Sequence, residues 1–469
     1  MNCISILVFI RLKIKCGVID NKGKEIISPK YEEIYIPDPT KDVFICFDDD
    51  YIILNGKAEK IFKNYEDVSA LVISEATLET EKDVLKYKKG KLYGLVNLLE
   101  EEITDAIYED ISSLKNKPGV LLVKKDGLYG VLDSNGKTVI DIKYNSIKSD
   151  DYCSEKDGYN KTGYIVSEKK ENGIFYGYIN YKGKTILGVK YEQVVRAPED
   201  STDDIFLIVR DAGKKGVFRN KKQIIANNFQ NIYYSSLSKI FIVQKTGKYG
   251  FYNTSGKQIL KPEYTEYSMA GNYIFVKINE RMMLYDVHGN LVNSNNYKSI
   301  TETKNPAYFI AENDKGYYSI ISKDVKIDDE YIDIKYAFGD YFIFTNKENK
   351  SGIIHIWTGI EVKPEYDSIL VIENTEAIEA RKYNEDKDIV DIYSKNIERV
   401  LSIDNAIIEN IDENYVRIYS YSEKEYINKE GMVVSNKEVF PNAKLYSVKQ
   451  NEKWGFCDAE RKNNSGLCI

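Results

Sequence analysis

Residues able to perform acid–base or nucleophilic chemistry are scarce and scattered in this chain. Its 469 residues include two histidines, His288 and His355. A Ser/His/Asp or Cys/His nucleophile needs a base held beside it, and neither histidine has such a neighbourhood. His288 stands in a turn-like stretch, and His355 lies in an apolar run beside Trp357. We therefore expect His288 to be an exposed turn residue, His355 to be a packed strand residue, and the protein not to be an enzyme.

Signatures of cofactor and metal sites are also missing from the sequence. The glycines form neither a P-loop nor a dinucleotide-binding fingerprint, and the six cysteines form no C-x-x-C pair. Short acidic runs lack the spacing of a calcium loop, and we interpret them as solvated loops; they are Asp48-Asp49-Asp50, Asp203-Asp204 and Asp328-Asp329. We expect no cofactor and no metal. A glycosidase-like carboxylate pair stays open, because a sequence with 73 acids does not give their separations.

The cysteines, at positions 3, 16, 46, 153, 457 and 468, indicate a reducing compartment. Cys16 and Cys46 lie in apolar strand contexts, where buried, inert thiols are expected. The apolar stretch 3–10 lacks a basic region before it, and it is too short to span a bilayer. A β-strand is therefore favoured there over a signal peptide. We expect a cytoplasmic protein, with export or a cell-surface location as the alternative.

A fourteen-residue interval from a glycine to a tyrosine recurs along most of the chain. The pairs are Gly17 and Tyr31, Gly94 and Tyr108, Gly130 and Tyr144, Gly177 and Tyr191, Gly250 and Tyr264, and Gly352 and Tyr366. Such a recurrence predicts tandem copies of one supersecondary unit, which bury their core by stacking on their neighbours.

The interior of each copy predicts a β-hairpin. An Asp or Asn stands three residues after the first glycine and would open a turn, and a second glycine, six residues on, suits the left-handed position. An apolar run then forms the returning strand, and the tyrosine begins a third extended run. The sequence thus predicts an all-β fold: a tandem array of about twelve three-stranded antiparallel β-units, as an open superhelix (solenoid) or a propeller-like ring.

We expect one array over residues 1–469. Its clearest units are 16–48, 93–125, 129–148, 176–195, 215–245, 249–278 and 351–372. Degenerate units are 50–75, 283–310, 316–345, 389–410 and 425–450, and an unfinished unit covers 454–469. The stretch 373–424 is either a degenerate repeat or a separate module. Stretches 3–10 and 454–458 resemble a third and a first strand, which would complete one unit in a closed ring; a simply truncated array is the alternative.

The repeated segments resemble the bacterial WG (KWG-type) repeat. That repeat has an aromatic-Gly start, as in Trp454-Gly455-Phe456-Cys457-Asp458, and a Lys-Tyr-Asp/Glu stretch, as in Lys30-Tyr31-Glu32 and Lys190-Tyr191-Glu192. The resemblance covers most of the chain, although tyrosine or lysine mostly replaces the tryptophan and the units between 278 and 350 have drifted. It implies an interaction repeat of poorly defined ligand and brings no catalytic residue.

The repeated tyrosines would line ligand pockets or form the core between units, and we favour the core because they hold the fixed point of each repeat. Extra length falls after them, as in 149–172 and 196–203, and insertions at one point of a repeat map to one face, often the binding face. Which loops bind a ligand is left open.

The net charge of −7 comes from 73 acids and 66 bases that are interspersed. With no evident positive stripe, nucleic-acid binding is not expected. We expect a non-enzymatic scaffold that mediates protein–protein interaction in a bacterium; the alternative is a carbohydrate- or cell-envelope-binding repeat protein, and an enzyme built on a β-propeller ranks last. The partner and the oligomeric state are left open.

Overall fold

A computed structural model describes residues 8–12, 15–20, 22–38, 40–74, 79–114, 117–153, 158, 161–198, 204–292, 297–450 and 453–457, and the side chains of all of these except 8–12, 328–330 and 446–457. Residues 3–7, Asp203 and residues 458–469, on which some of the expectations above rest, lie outside the described residues, as do the side chains of Asp328 and Asp329.

The fold is all-β, as predicted. Among the described residues, strands make up 61% and helix 1%, and these strands form twelve small antiparallel sheets of three or four strands, besides one two-stranded hairpin. The chain divides into two compact units, Met1–Gln258 (unit 1) and Ile259–Ile469 (unit 2).

Unit 1 contains sheets I to VII, whose strands follow one another in chain order. Sheet I has β1 (Val8–Leu12), β2 (Lys15–Ile19) and β3 (Glu25–Tyr31); sheet II has β4 (Glu33–Tyr35), β5 (Val43–Phe47) and β6 (Tyr51–Asn55); sheet III has β7 (Asp67–Ser74), β8 (Glu79–Lys89) and β9 (Leu92–Asn97). Sheet IV has β10 (Asp110–Ser113), β11 (Val120–Lys125), β12 (Leu128–Asp133) and β13 (Thr138–Tyr144); sheet V has β14 (Ser146–Ser149), β15 (Tyr164–Lys170), β16 (Gly173–Ile179) and β17 (Thr185–Tyr191). Sheet VI has β18 (Gln193–Arg196), β19 (Phe206–Asp211), β20 (Lys214–Arg219) and β21 (Lys222–Phe229); sheet VII contains β22 (Asn231–Ser235), β23 (Ile240–Lys245) and β24 (Lys248–Asn253). Strand β25 (Gln258–Tyr264) begins at the last residue of unit 1.

Unit 2 contains sheets VIII to XII and a terminal hairpin. Sheet VIII has β26 (Glu266–Ala270), β27 (Tyr273–Ile278) and β28 (Arg281–Asp286); sheet IX has β29 (Ser299–Glu302), β30 (Phe309–Glu312), β31 (Tyr318–Ile321) and β32 (Lys326–Tyr331). Sheet X has β33 (Asp333–Phe338), β34 (Tyr341–Thr345), β35 (Ser351–His355) and β36 (Gly359–Tyr366); sheet XI has β37 (Ser368–Val371), β38 (Ile378–Tyr383), β39 (Asp388–Tyr393) and β40 (Arg399–Asp404). Sheet XII has β41 (Ile407–Asn410), β42 (Tyr415–Tyr419), β43 (Lys424–Asn428) and β44 (Val433–Val434); the helix α1 (Asn436–Val439) and the hairpin of β45 (Tyr446–Gln450) and β46 (Lys453–Cys457) follow. The stretch 373–424 therefore folds within ordinary sheets, XI and XII.

Most sheets contain one strand more than the repeat pattern predicts. The run before each aromatic-glycine start is itself a strand, as β11 and β15 illustrate, and it carries no fixed residue that would mark it. The run after each tyrosine is the first strand of the next sheet rather than a third strand of its own unit. Residues 8–10 likewise belong to β1, which pairs antiparallel with β2. This strand occupies the second-strand position of sheet I and not the third-strand position predicted for the stretch 3–10.

The first glycine of each repeat lies in the third strand, under the fourth strand. A Cβ atom on Gly130 would lie 2.8 Å from the carbonyl oxygen of Ile140 in β13. The register between β12 and β13 shifts at this point, so the fourth strand crosses close over the third. The same approach to a fourth-strand carbonyl recurs at Gly17, Gly177, Gly216 and Gly352. Glycine is needed here because a Cβ would collide with backbone.

The predicted turn after this glycine is confirmed. Asp133 Oδ1 accepts hydrogen bonds of 2.9 Å from the backbone amides of Asn135 and Lys137. Equivalent side chains accept in the same way from the amides two and four residues on; they are Asp20, Asn55, Asn97, Asn180, Asn253 and Asp286. These Asx-type bonds fix the connection between the third and fourth strands.

The second glycine of the repeat joins one sheet to the preceding one. Gly183 has φ +77°, and a Cβ there would lie 2.6 Å from the carbonyl oxygen of Val139 in β13. Gly136 similarly faces Ile103 and Thr104 at 2.9 Å. The turn of each of these sheets therefore rests on the fourth strand, or its equivalent, of the sheet before it.

The repeated tyrosines form the core between successive sheets, as favoured above. Tyr144 is the last residue of β13, and it packs with Val131 and Ile140 of sheet IV and with Ile147 and Val166 of sheet V. Tyr31, Tyr108, Tyr191, Tyr264 and Tyr366 are buried as well. Burial of such large side chains contributes much of the stability that one sheet gains from the next.

We predict that Gly177→Ala lowers the free energy of unfolding by about 1–3 kcal/mol, because its Cβ would collide with the backbone of β17. The clash involves the Leu187 carbonyl oxygen, 2.7 Å away. Gly188→Ala is the matched control: Gly188 lies in β17, its φ is not positive, and nothing lies within 4 Å of an added Cβ. Urea denaturation of the full chain measures both. Equal effects of the two substitutions would contradict the packing role of the first glycine.

Candidate functional site

The predicted binding face is the edge of the sheets where first strands connect to second strands, which we call the connection edge. The insertion 149–172 is only partly a loop, because residues 164–170 form β15. Its connecting part runs from Asp150 to Gly163, and residues 154–157 and 159–160 within it lie outside the described part of the chain.

A buried ion pair holds this connection in place. Arg196 Nη1 lies 3.0 Å from Asp150 Oδ2, with 3% and 0% of the two side chains exposed. Tyr178 donates a hydrogen bond to the same carboxylate, and Arg196 also donates to the Lys161 carbonyl oxygen at 3.0 Å. The guanidinium carbon lies 3.5 Å from the centroid of the Tyr152 ring. Since Arg196 ends β18, the contact ties the connection of sheet V to sheet VI.

Lys117 ties the same connection to sheet IV. It lies between β10 and β11, and its Nζ donates to the Thr162 carbonyl oxygen at 2.5 Å. The ammonium group lies 4.0 Å from the centroid of the Tyr164 ring, in cation–π geometry. Thr162 Oγ1 in turn donates to the Tyr152 carbonyl oxygen at 2.6 Å. We call Lys117, Asp150, Tyr152, Thr162, Tyr164, Tyr178 and Arg196 the polar anchor.

Similar contacts continue along the connection edge. Glu81 at the start of β8 is buried, and its Oε2 accepts from the Gly119 amide of sheet IV at 2.7 Å. Burial raises the pKa of Glu81, an effect that the Gly119 hydrogen bond opposes. In unit 2, Tyr308 of sheet IX donates to Asp340 of sheet X. Polar side chains of the connections thus bind one sheet to the next at several places.

Burial governs the protonation of the polar anchor. It lowers the pKa of Lys117 to about 8; the Asp150 carboxylate opposes this shift and the Arg196 guanidinium adds to it. Burial, followed by the nearby Asp150 carboxylate, raises the pKa values of Tyr164 and Tyr178. The Asp150 carboxylate accepts from Tyr178 and Arg196 inside the protein, so the cluster is suited to holding the connection rigid.

The histidines lie where the sequence predicts. His288 is exposed in a turn, where its amide donates to Asp286 Oδ1 at 2.9 Å. His355 ends β35, its ring centroid lies 4.7 Å from that of Tyr341, and its Nδ1 lies 2.9 Å from Thr358 Oγ1.

The acidic runs and the cysteines are also located. Asp48-Asp49-Asp50 is exposed in the turn between β5 and β6, and Asp204 pairs with Arg219. Cys46 is fully buried, and burial raises its pKa to about 12, as expected of an inert thiol. Cys16, which was also expected to be buried, is only half-buried; it lies in β2, the central strand of sheet I, and its Sγ contacts the Glu32 carbonyl oxygen at 3.4 Å. Among the described residues, no group of three or more His, Cys, Asp or Glu side chains is arranged to hold a metal ion.

The insertions that follow the repeated tyrosines mark the connection edge in the sequence, but nothing in the sequence marks the residues of the polar anchor. Lys117, Asp150 and Arg196 lie outside the fixed positions of the repeat, so no spacing marks them. Within the described residues, no helix is long and apolar enough to cross a membrane.

The model of the WG containing repeat matches the chain at residues 17–37, 93–129, 129–152 and 249–281. No curated protein matches the sequence.

Solved structures with a likeness to the chain have low identity and low TM-scores. One is a eukaryotic initiation factor (10% identity, 75% of this chain and 95% of the other covered, TM-score 0.27). Another is the extracellular domain of the hybrid two-component system BT3049 from B. thetaiotaomicron (9%, 96% and 72%, TM-score 0.28). A third is PorZ, a surface component of the type-IX secretion system of Porphyromonas gingivalis (9%, 96% and 74%, TM-score 0.20). Likenesses of this size carry no argument about function.

We predict that Lys117 makes the stability of the chain depend on pH between about pH 8 and pH 10. With a pKa lowered to about 8 from 10.5, folded Lys117 releases a proton that the unfolded chain retains. The free energy of unfolding of the wild type should therefore rise relative to Lys117→Met by about 1–2 kcal/mol as pH rises through this window. Denaturation of both proteins at each pH measures the difference, and a constant difference would contradict the lowered pKa.

Proposed function

We propose that this chain, whose sequence matches the WG containing repeat at four stretches, acts as a non-enzymatic scaffold that binds a protein partner through the connection edge. The observation that supports this proposal most is the polar anchor. Asp150, Thr162, Lys117 and Arg196 fix both ends of a long connection on three successive sheets. A loop held in this way loses little conformational entropy when a partner binds, which improves affinity.

The alternative of carbohydrate or cell-envelope binding would be supported by exposed aromatic rings in stacked pairs. The most exposed aromatic side chains of the described residues are Tyr233, Trp357, Tyr383 and Tyr421. Among the described residues, none of these four rings pairs with another ring, whereas buried rings such as Tyr366 and Tyr393 do. This arrangement favours the protein-scaffold function.

We place this function in the cytoplasm of a bacterium. Cys16, Cys46 and Cys153 are free thiols, which suits a reducing compartment. Export is the alternative location, and it would accompany envelope binding.

Affinity capture tests the proposal. The tagged full chain is compared with a variant in which residues 153–161 are replaced by a short Gly/Ser linker, so that Asp150, Thr162 and β15 are retained. A control variant carries the same kind of replacement at Ser236–Ser238, in the shorter connection of sheet VII. We expect a stoichiometric protein partner that the first variant loses and the control keeps. Binding to cell-wall polysaccharide without any protein partner would contradict the scaffold function.

A further inference from the structure

One segment breaks the even mixture of charges along the chain. Residues 212–258 contain nine lysines and arginines and no aspartate or glutamate, although acids outnumber bases by 73 to 66 in the whole sequence. The segment covers β20 to β24. Although Arg219 pairs with Asp204, the segment gives sheets VI and VII a net positive charge, which the composition of the whole chain does not show.

The repeat topology brings part of this charge to a single edge. The turns between second and third strands lie at the opposite ends of the strands from the connection edge, and we call them the hairpin edge. In sheets V, VI and VII these turns carry exposed lysines: Lys169, Lys170, Lys214, Lys245 and Lys248. Lys215 Nζ donates to Asn231 Oδ1 at 3.2 Å, and Asn231 Nδ2 donates to Gln244 Oε1 at 2.9 Å. This chain of contacts links the turn of sheet VI to that of sheet VII.

A surface depression with an apolar wall lies at the sheet V end of this edge. Its volume is about 390 Å³, and it is lined by Lys170, Glu171, Asn172, Phe175 and Lys190. The side chain of Ile174, next to Phe175, is 54% exposed. Lys170 Nζ donates to the Val189 carbonyl oxygen at 2.8 Å, which holds its charge beside the depression. The edge thus combines cationic groups with exposed apolar surface.

We infer that the hairpin edge of sheets V to VII binds an acidic, extended segment of a protein, with one of its apolar side chains in the depression. The inference rests on the proposed function, since it adds, at the opposite edge, a second contact with the protein partner that the connection edge binds. Sheets stack about 10 Å apart, so three turns span about 20 Å, a length that six or seven extended residues cover.

The charges on the same edge favour a protein segment over a nucleic acid. Glu168, Glu171 and Asp211 lie among the lysines, whereas Glu192 is engaged with the Gly213 amide and with Arg210. A nucleic acid carries a phosphate on every nucleotide and would meet repulsion at these acids. A protein segment places a neutral residue opposite each of them and its carboxylates opposite the lysines.

The test uses the full chain and two matched variants. One carries Lys214→Gln, Lys245→Gln and Lys248→Gln on the hairpin edge and Lys190→Gln in the depression beside it; the control carries Lys57→Gln, Lys60→Gln, Lys137→Gln and Lys184→Gln, at lysines that are also exposed. The probes are a fluorescent peptide of about twelve residues, rich in glutamate with interspersed leucine, and a single-stranded oligonucleotide of the same charge. Binding is measured by fluorescence anisotropy at low ionic strength, and thermal melting verifies that both variants fold.

We expect the hairpin-edge variant to bind the peptide about tenfold more weakly than the wild type, and the control variant to bind it as the wild type does. Equal losses in both variants, or no binding to the wild type, would overturn the inference. Tighter binding of the oligonucleotide than of the peptide, lost in the hairpin-edge variant, would assign the edge to nucleic acid instead. If the protein partner is captured equally by the hairpin-edge variant and the wild type, this inference fails while the scaffold function stands. If the wild type captures no protein partner, the scaffold function itself is contradicted.

Discussion

In the sheets whose third strand carries the first glycine of the repeat, the close passage of the fourth strand over that glycine is the constraint on which the repeat depends. At Gly130 the backbone of β13 comes so near that a Cβ has no room. This passage shifts the strand register and brings Tyr144 opposite Tyr129, at the end of the sheet. The chain then enters the next sheet after a single residue, and the tyrosine is buried between the two sheets. The glycine thereby determines both the strand register within the sheet and the position of the tyrosine at its junction with the next sheet.

The two ends of the strands have different roles. On the connection edge, buried polar groups such as Asp150 and Arg196 bind successive sheets together and fix a long connection. On the hairpin edge, exposed lysines such as Lys214 and Lys248 are available to a partner. In repeat proteins each unit contacts only its neighbours, so the surface of one edge varies without loss of the core. This arrangement supports our proposal that the protein is a scaffold that contacts its partner at both edges.

The sequence predicts the all-β fold, the turns and the buried tyrosines well, because a fixed residue at a fixed spacing marks each of them. The second strand of each sheet was missed because its residues, such as those of Val120–Lys125, vary from copy to copy. The polar anchor could not be predicted, since Lys117 and Arg196 meet the loop of another repeat only after the sheets stack. The positive charge of the hairpin edge was missed because the net charge was counted over the whole chain. That count averages the acid-free segment with its acidic neighbours.

The stacking of one sheet on the next through its turn is tested most directly by amide hydrogen exchange in Gly183→Ala and Gly213→Ala. Both glycines have similar positive φ values, +77° and +71°, but only Gly183 faces the preceding sheet, at Val139. If the turn of sheet V rests on β13, amide exchange in β13 becomes faster in Gly183→Ala, whereas in Gly213→Ala the changes stay within the local hairpin. Undisturbed protection of β13 in Gly183→Ala would contradict this stacking.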